Sequence, residues 1–149
     1  MFKKGNRSSP SNYRPVSLTS ILCKLLEHVI SSNISSHFDF NCILTDNQHG
    51  FRKRRSCDTQ LIQTIDDLSR GINQNLQTDA ITLDFSKAFD KVPHARLLQK
   101  LDIYGIRGYT LVCIRDFLSS RTQQVILDGS TSSSAPVISG VPEGSVLGL

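Results

Sequence analysis

Ala80-Ile81-Thr82-Leu83-Asp84-Phe85-Ser86-Lys87-Ala88-Phe89-Asp90-Lys91-Val92-Pro93-His94 holds more polar and charged chemistry than a plain globular core would ask for. A β-type apolar run over residues 79–85 brings Asp84 to its end, and a Lys, two Phe and a second Asp follow within six residues. Ile81, Thr82 and Leu83 do not alternate cleanly, which fits a strand covered on both faces. A carboxylate at a strand's end is a natural oxygen ligand for a hard metal ion. Taken alone, Asp84 reads as readily as an Asp that caps the turn after a strand.

Downstream, Val92-Pro93 breaks the chain and restarts it as a helix over residues 94–104, which Gly105 can end in a left-handed conformation. A further helix over 108–120 carries Leu111, Val112, Ile114, Phe117 and Leu118. Residues 123–129 and 134–139 read as two hairpin strands around a Ser/Thr/Gly loop, and residues 140–149 as a Gly/Pro-punctuated turn leading towards a helix. Upstream, Ile21, Leu22, Leu25, Leu26, Val29, Ile30, Ile34 and Phe38 step by three and four, predicting a core helix over 19–38. Serines at 31, 32, 35 and 36 weaken its second half, so fraying after Ile30 is expected. Ser56 fits the N-cap of a second helix running to about residue 73, with Leu61, Ile65, Leu68 and Ile72 on one face. Residues 1–15 read as the stub of a strand and a loop, an abrupt opening that suggests an upstream strand outside the chain.

A chain of 149 residues suffices for one domain. Its apolar runs are too short to span a bilayer and its first residues do not make a signal peptide, so no membrane partner is expected and the cytoplasm or nucleus is the default. Cys23, Cys42, Cys57 and Cys113 lie 19, 15 and 56 residues apart without a Cys-x-x-Cys pair. They read as reduced, mostly buried thiols, with a zinc site as the alternative. Charge is unevenly spread: residues 1–57 hold nine Lys and Arg against three acids, and the remainder eight against ten. A basic first third suits contact with a polyanion, although a solvated basic face would look the same. Arg52, Lys53, Arg54 and Arg55 repel one another, so stability is not the expected reason for them.

Four segments in order resemble the reverse transcriptase domain of non-LTR (LINE-type, jockey-like) retrotransposons. They are Lys3-Lys4-Gly5 through Asn12-Tyr13-Arg14-Pro15-Val16-Ser17-Leu18; Gln48-His49-Gly50-Phe51-Arg52 with Arg55-Ser56; Leu83-Asp84 through Pro93-His94; and Gly140-Val141-Pro142-Glu143-Gly144-Ser145-Val146-Leu147-Gly148. The resemblance covers essentially the whole chain. It implies an α+β fold: an incomplete right-hand polymerase with helices on a small, mostly antiparallel sheet. Residues 1–149 would form a single partial domain, fingers-like over about 1–78 and palm-like over about 79–149, truncated before the second carboxylate motif.

The resemblance also assigns roles. Asp84 would be the first metal-binding and catalytic carboxylate, with the backbone carbonyl of Phe85 as a further ligand, and two Mg²⁺ ions (Mn²⁺ being possible) in the complete family site. Phe89 matches the aromatic placed under the incoming sugar, the alternative being a buried Phe with no gating role. Arg14, helped by Lys3, Lys4 or Arg7, would hold the triphosphate, and Arg52, Lys53, Arg54 and Arg55 the template or primer backbone. Glu143 stands where the family usually has Gln, and its added negative charge should weaken nucleotide binding. The aromatic-x-Asp-Asp element does not occur in the sequence, and Asp66-Asp67 falls in a helical pattern. The implied function is a fragment of an RNA-directed DNA polymerase acting with an RNA template, a DNA primer and dNTP, inactive by itself and with no obligate protein partner. The alternatives are a catalytically dead nucleic-acid-binding remnant that uses the basic first third, or a small domain of no present function.

Overall fold

The structure, a computed structural model, describes residues 1–14, 16–142 and 144–146. Among these residues it has four helices and two short antiparallel strand pairs, an α+β composition. Helix α1 is Ile21–Phe40, α2 Cys57–Asn73, α3 His94–Ile103 and α4 Gly108–Leu118. The strands are β1 Thr122–Gln123, β2 Ile126–Leu127, β3 Ser130–Thr131 and β4 Ala135–Pro136, with β1 paired to β4 and β2 to β3. The chain divides into two compact units: Met1–Ile34 with Lys87–Leu149, and Ser35–Ser86.

Local chemistry fixes the helix ends. The Ser56 hydroxyl accepts the Thr59 N–H at the start of α2, and the Thr59 side chain returns to the Ser56 N–H, a reciprocal cap. At their C-termini α1, α2 and α3 share one solution: a residue with positive φ follows the helix and the next N–H reaches back to a carbonyl five residues earlier. Gly105 (φ +88°) does this for α3, with Ile106 N–H on the Leu101 carbonyl. Asn75 (φ +54°) and Cys42 (φ +50°) do it for α2 and α1.

The apolar core lies with α3 and α4, which pack on one another; Ile106, Ile114 and Leu118 are its buried hydrophobic members among the described residues. This corrects the expectation for α1. The helix forms, and it continues past Ile30 to Phe40 without the expected fraying, but Ile21, Leu22, Leu25, Leu26 and Val29 are exposed. Its buried residues are Glu27 and Ser31. An amphipathic stripe reports that a face can be covered, and the described residues provide no such cover. Three cysteines are exposed and Cys113 is half-buried, so the thiols are free as expected but not buried.

The expected strand over 79–85 is absent. The segment pairs with no other described segment, and Ile81, Leu83 and Phe85 stand exposed. A strand needs a neighbour to receive its N–H and C=O groups, and apolar composition cannot replace that ladder. The hairpin does form, with its tip at Asp128-Gly129 (φ +48° and +80°), a two-residue turn with both residues left-handed. That geometry matches the twist of a tight hairpin, so β2 turns directly into β3 instead of running to the Ser-rich loop. The N-terminal strand stub is present as a single antiparallel bridge between Phe2 and Tyr13.

Candidate polymerase site

In the unit Ser35–Ser86, the turn region before α2 is organised around His49, which is buried. Its Nδ1 lies 2.8 Å from Thr59 Oγ1 and its Nε2 3.0 Å from Gln63 Oε1, so the imidazole ties the loop to the first turns of α2. The basic run that follows splits into two pairs. Arg52 is 17% exposed at its side chain, donates to Asp39 Oδ1 at 3.0 Å and also donates to the Thr45 carbonyl. Arg55 bridges to Asp46 at 3.2 Å and approaches His49 Nε2. Lys53 and Arg54 are exposed, as is the ring of Phe51. Arg52 and Arg55 thus serve the loop's own structure, contrary to the expectation that four adjacent cations would have no stabilising use. Their acidic partners come from the end of α1 and from the loop, where repulsion along the sequence is offset by attraction in space.

Asp84 and Phe85 sit in a segment that pairs with no other described segment, and the Phe85 side chain is exposed. Hard divalent ions need several oxygen ligands in one shell. Among the described residues no three His, Cys, Asp or Glu side chains gather closely enough to hold an ion.

The other unit brings two of the motif segments together. The turn after Asp84 runs through Phe89 and Asp90 and meets the residues around Gly140. Gly140 N–H donates to the Val92 carbonyl at 2.8 Å, and Val141 N–H donates to the Phe89 carbonyl at 2.9 Å. Ser139 Oγ donates to the Asp90 carbonyl at 3.2 Å, and His94 Nε2 donates to the Gly140 carbonyl at 2.8 Å. Gly140 is required twice over: its φ is +86°, and a Cβ would lie 2.8 Å from the Asp90 carbonyl oxygen and 2.9 Å from that of Phe89. Phe89 itself is half-buried. Further along, the Val146 N–H donates to Glu27 Oε2 at 2.6 Å. Glu143 lies outside the described residues.

At the N-terminus, Lys3 N–H donates to the Asn12 carbonyl at 2.8 Å and Arg14 N–H to the Met1 carbonyl at 2.7 Å. This short ladder brings Lys3, Lys4 and Arg14, all exposed, onto one small antiparallel piece. The Phe2 and Tyr13 rings meet edge to face there, and the Arg7 guanidinium lies 5.3 Å from the Phe2 ring centre.

The family model for reverse transcriptase (RNA-dependent DNA polymerase) matches residues 2–149. The chain belongs to the reverse transcriptase family. It is 33% identical over 140 residues to a probable RNA-directed DNA polymerase from transposon BS of Drosophila melanogaster, covering 94% of this chain and 15% of that protein. It is 33% identical over 138 residues to the RNA-directed DNA polymerase from mobile element jockey of the same fly, covering 92% and 15%. A third relative, the probable RNA-directed DNA polymerase from transposon X-element, is 30% identical over 139 residues, covering 93% and 15%. The reverse transcriptase chain thus spans about 15% of the length of these curated relatives. No solved structure matches.

In this reverse transcriptase chain, Glu27 and His94 make long-range hydrogen bonds to the Gly140 segment that the sequence does not signal. His94 closes the Leu83–His94 motif and begins α3, a position that carries no signal of a distant partner. Glu27 gave no signal, because a Glu in a helix is ordinarily solvated. The acidic partners Asp39 and Asp46 were counted as charge and not placed.

Proposed function

We propose that the chain forms the fingers and the first part of the palm of a right-hand polymerase from a non-LTR retrotransposon. In that enzyme it would take part in extending a DNA primer with dNTPs on an RNA template. The observation that carries this reading is the family match over residues 2–149. The bonding of the 89–94 turn to residues 139–141 is in keeping with it, since two segments 46 residues apart in sequence behave as one piece. Asp84 and the Phe85 carbonyl would be this chain's contribution to a centre that binds Mg²⁺, or Mn²⁺ in its place. Phe89 would lie against the sugar, Arg14 with Lys3 and Lys4 would meet the triphosphate, and Glu143 would weaken nucleotide binding.

Exchange of the matching segment of the jockey polymerase for this chain tests the reading. The hybrid should extend a DNA primer on an RNA template, and Asp84→Ala in the hybrid should lower extension by more than about 10²-fold. Template binding should persist in that variant. Undiminished extension with Ala at position 84 would remove the catalytic assignment.

A second reading, nucleic-acid binding without catalysis, is favoured by the exposed Phe51, Lys53 and Arg54, an aromatic beside two uncommitted-looking cations. Fluorescence anisotropy of the 149-residue chain with single-stranded RNA across a salt series addresses it. Lys53→Ala and Arg54→Ala should each flatten the salt dependence by about one unit of slope. An unchanged slope in the double variant would dismiss this grip.

A further inference from the structure

Helix α1 presents an inversion: its leucines face solvent while Glu27, on the same helix, is 1% exposed. Taking a carboxylate out of water costs several kcal/mol unless polar partners replace the lost hydration. What Glu27 receives in return includes the Val146 N–H at 2.6 Å, a charge-assisted bond to a residue 119 positions away. At the other end of the same loop, His94 spends its Nε2 proton on the Gly140 carbonyl, 46 positions away. Between these two points the loop closes on itself, with Ser145 N–H and Oγ both donating to the Pro142 carbonyl at 3.1 and 2.8 Å. Gly140 and Ser145 are both buried.

We propose that Glu27 and His94 are positioning residues, a two-point clamp on residues 140–142 and 144–146 in which His94 holds the Gly140 end at the turn of 89–92 and Glu27 holds Val146. The clamp fixes the loop's ends in different ways. His94 orients the peptide between Gly140 and Val141, whose Val141 N–H already engages the Phe89 carbonyl, so both the C=O and the N–H of that peptide are held. Glu27 holds the far end through a backbone N–H, which makes the contact independent of the side chain at position 146. The inference rests on the polymerase reading only for what the loop faces, a nucleotide beside Phe89; the clamp itself is a property of this chain.

Amide hydrogen exchange resolved by NMR on the 149-residue chain tests it. In the unaltered chain Val146, Gly140 and Val141 should exchange slowly. Glu27→Ala should speed Val146 exchange by about tenfold or more while leaving Val141 protected. Glu27→Gln should restore protection, because an amide oxygen accepts the same N–H. His94→Ala should move the Gly140 carbonyl carbon resonance upfield through loss of its donor, and His94→Gln should return it part of the way. Unchanged Val146 exchange in Glu27→Ala would overturn the clamp, as would a folded Glu27→Gln chain with an unprotected Val146. If Glu27→Ala does not fold, the Gln variant alone decides. These readouts do not depend on polymerisation, so a hybrid enzyme that fails to extend a primer would strike the functional reading and leave the clamp standing.

Discussion

Residues 80–85 and residues 89–94 are neighbours in one motif, yet the protein treats them differently. The first run carries Asp84 and stands bare: Ile81, Leu83 and Phe85 are each more than four-fifths exposed and the backbone pairs with no described segment. The second run is bound to residues 139–141 by four hydrogen bonds and pressed against a glycine that no larger residue could replace. A strand is completed by its neighbour, whereas a turn closes on groups it can reach at once. Residues 80–85 therefore have strand composition without a partner ladder among the described residues, whereas residues 89–94 are already anchored.

Gly140→Ala should break the anchored half with the largest effect of any single change considered. The new methyl would meet two carbonyl oxygens under 3 Å away while the backbone stays left-handed. A cost of about 2–3 kcal/mol is expected, read as a fall in the denaturation midpoint. Insensitivity of the midpoint would mean that the 89–94 and 139–141 junction is not what holds this unit together.

Much of the local structure was legible because it depends on residues close in sequence. Ser56 before α2, Gly105 after α3 and the three-and-four stepping of α1 each act within one or two helical turns. Tertiary context was not legible. Residues 79–85 have strand composition and the α1 stripe has core composition, but composition states only that a surface could be buried. The candidate site divided along the same line. Its residue identities came from the motifs, while the ties from Glu27 to Val146 and from Arg52 to Asp39 join positions that no periodicity connects. Ser56→Ala measures the legible part: losing the cap should cost about 1 kcal/mol, confined to α2. Circular dichroism should show the loss as reduced helicity at an unchanged unfolding slope.

The bound-against-bare contrast recurs within four residues of the basic run, and paired substitutions sharpen it. Arg52→Ala removes a mostly buried guanidinium from Asp39 and from the Thr45 carbonyl. It should cost about 1 kcal/mol, the surface-pair value raised by the carbonyl bond. Lys53→Ala should leave the midpoint within about 0.5 kcal/mol, because its side chain is exposed. Equal effects from the two would show that the loop does not distinguish its inner cations from its outer ones.

The smallest expected effect is the most informative about residues 80–85. If Ile81 and Leu83 contribute nothing to the folded chain, replacing both with Thr should leave the unfolding midpoint within about 0.5 kcal/mol. Thr keeps the β-branched character of Ile81 and introduces it at position 83, so the preference for extended backbone does not fall while apolar surface is removed. Solubility should rise, since an exposed, unpaired apolar segment is the kind of surface on which chains associate. A loss of 2 kcal/mol or more, of the size that burial of two aliphatic side chains supplies, would instead mean that this segment is covered in solution. In that case the bare half of the motif would join the anchored half as part of the chain's own packing, and Asp84 would be held in place by the chain itself.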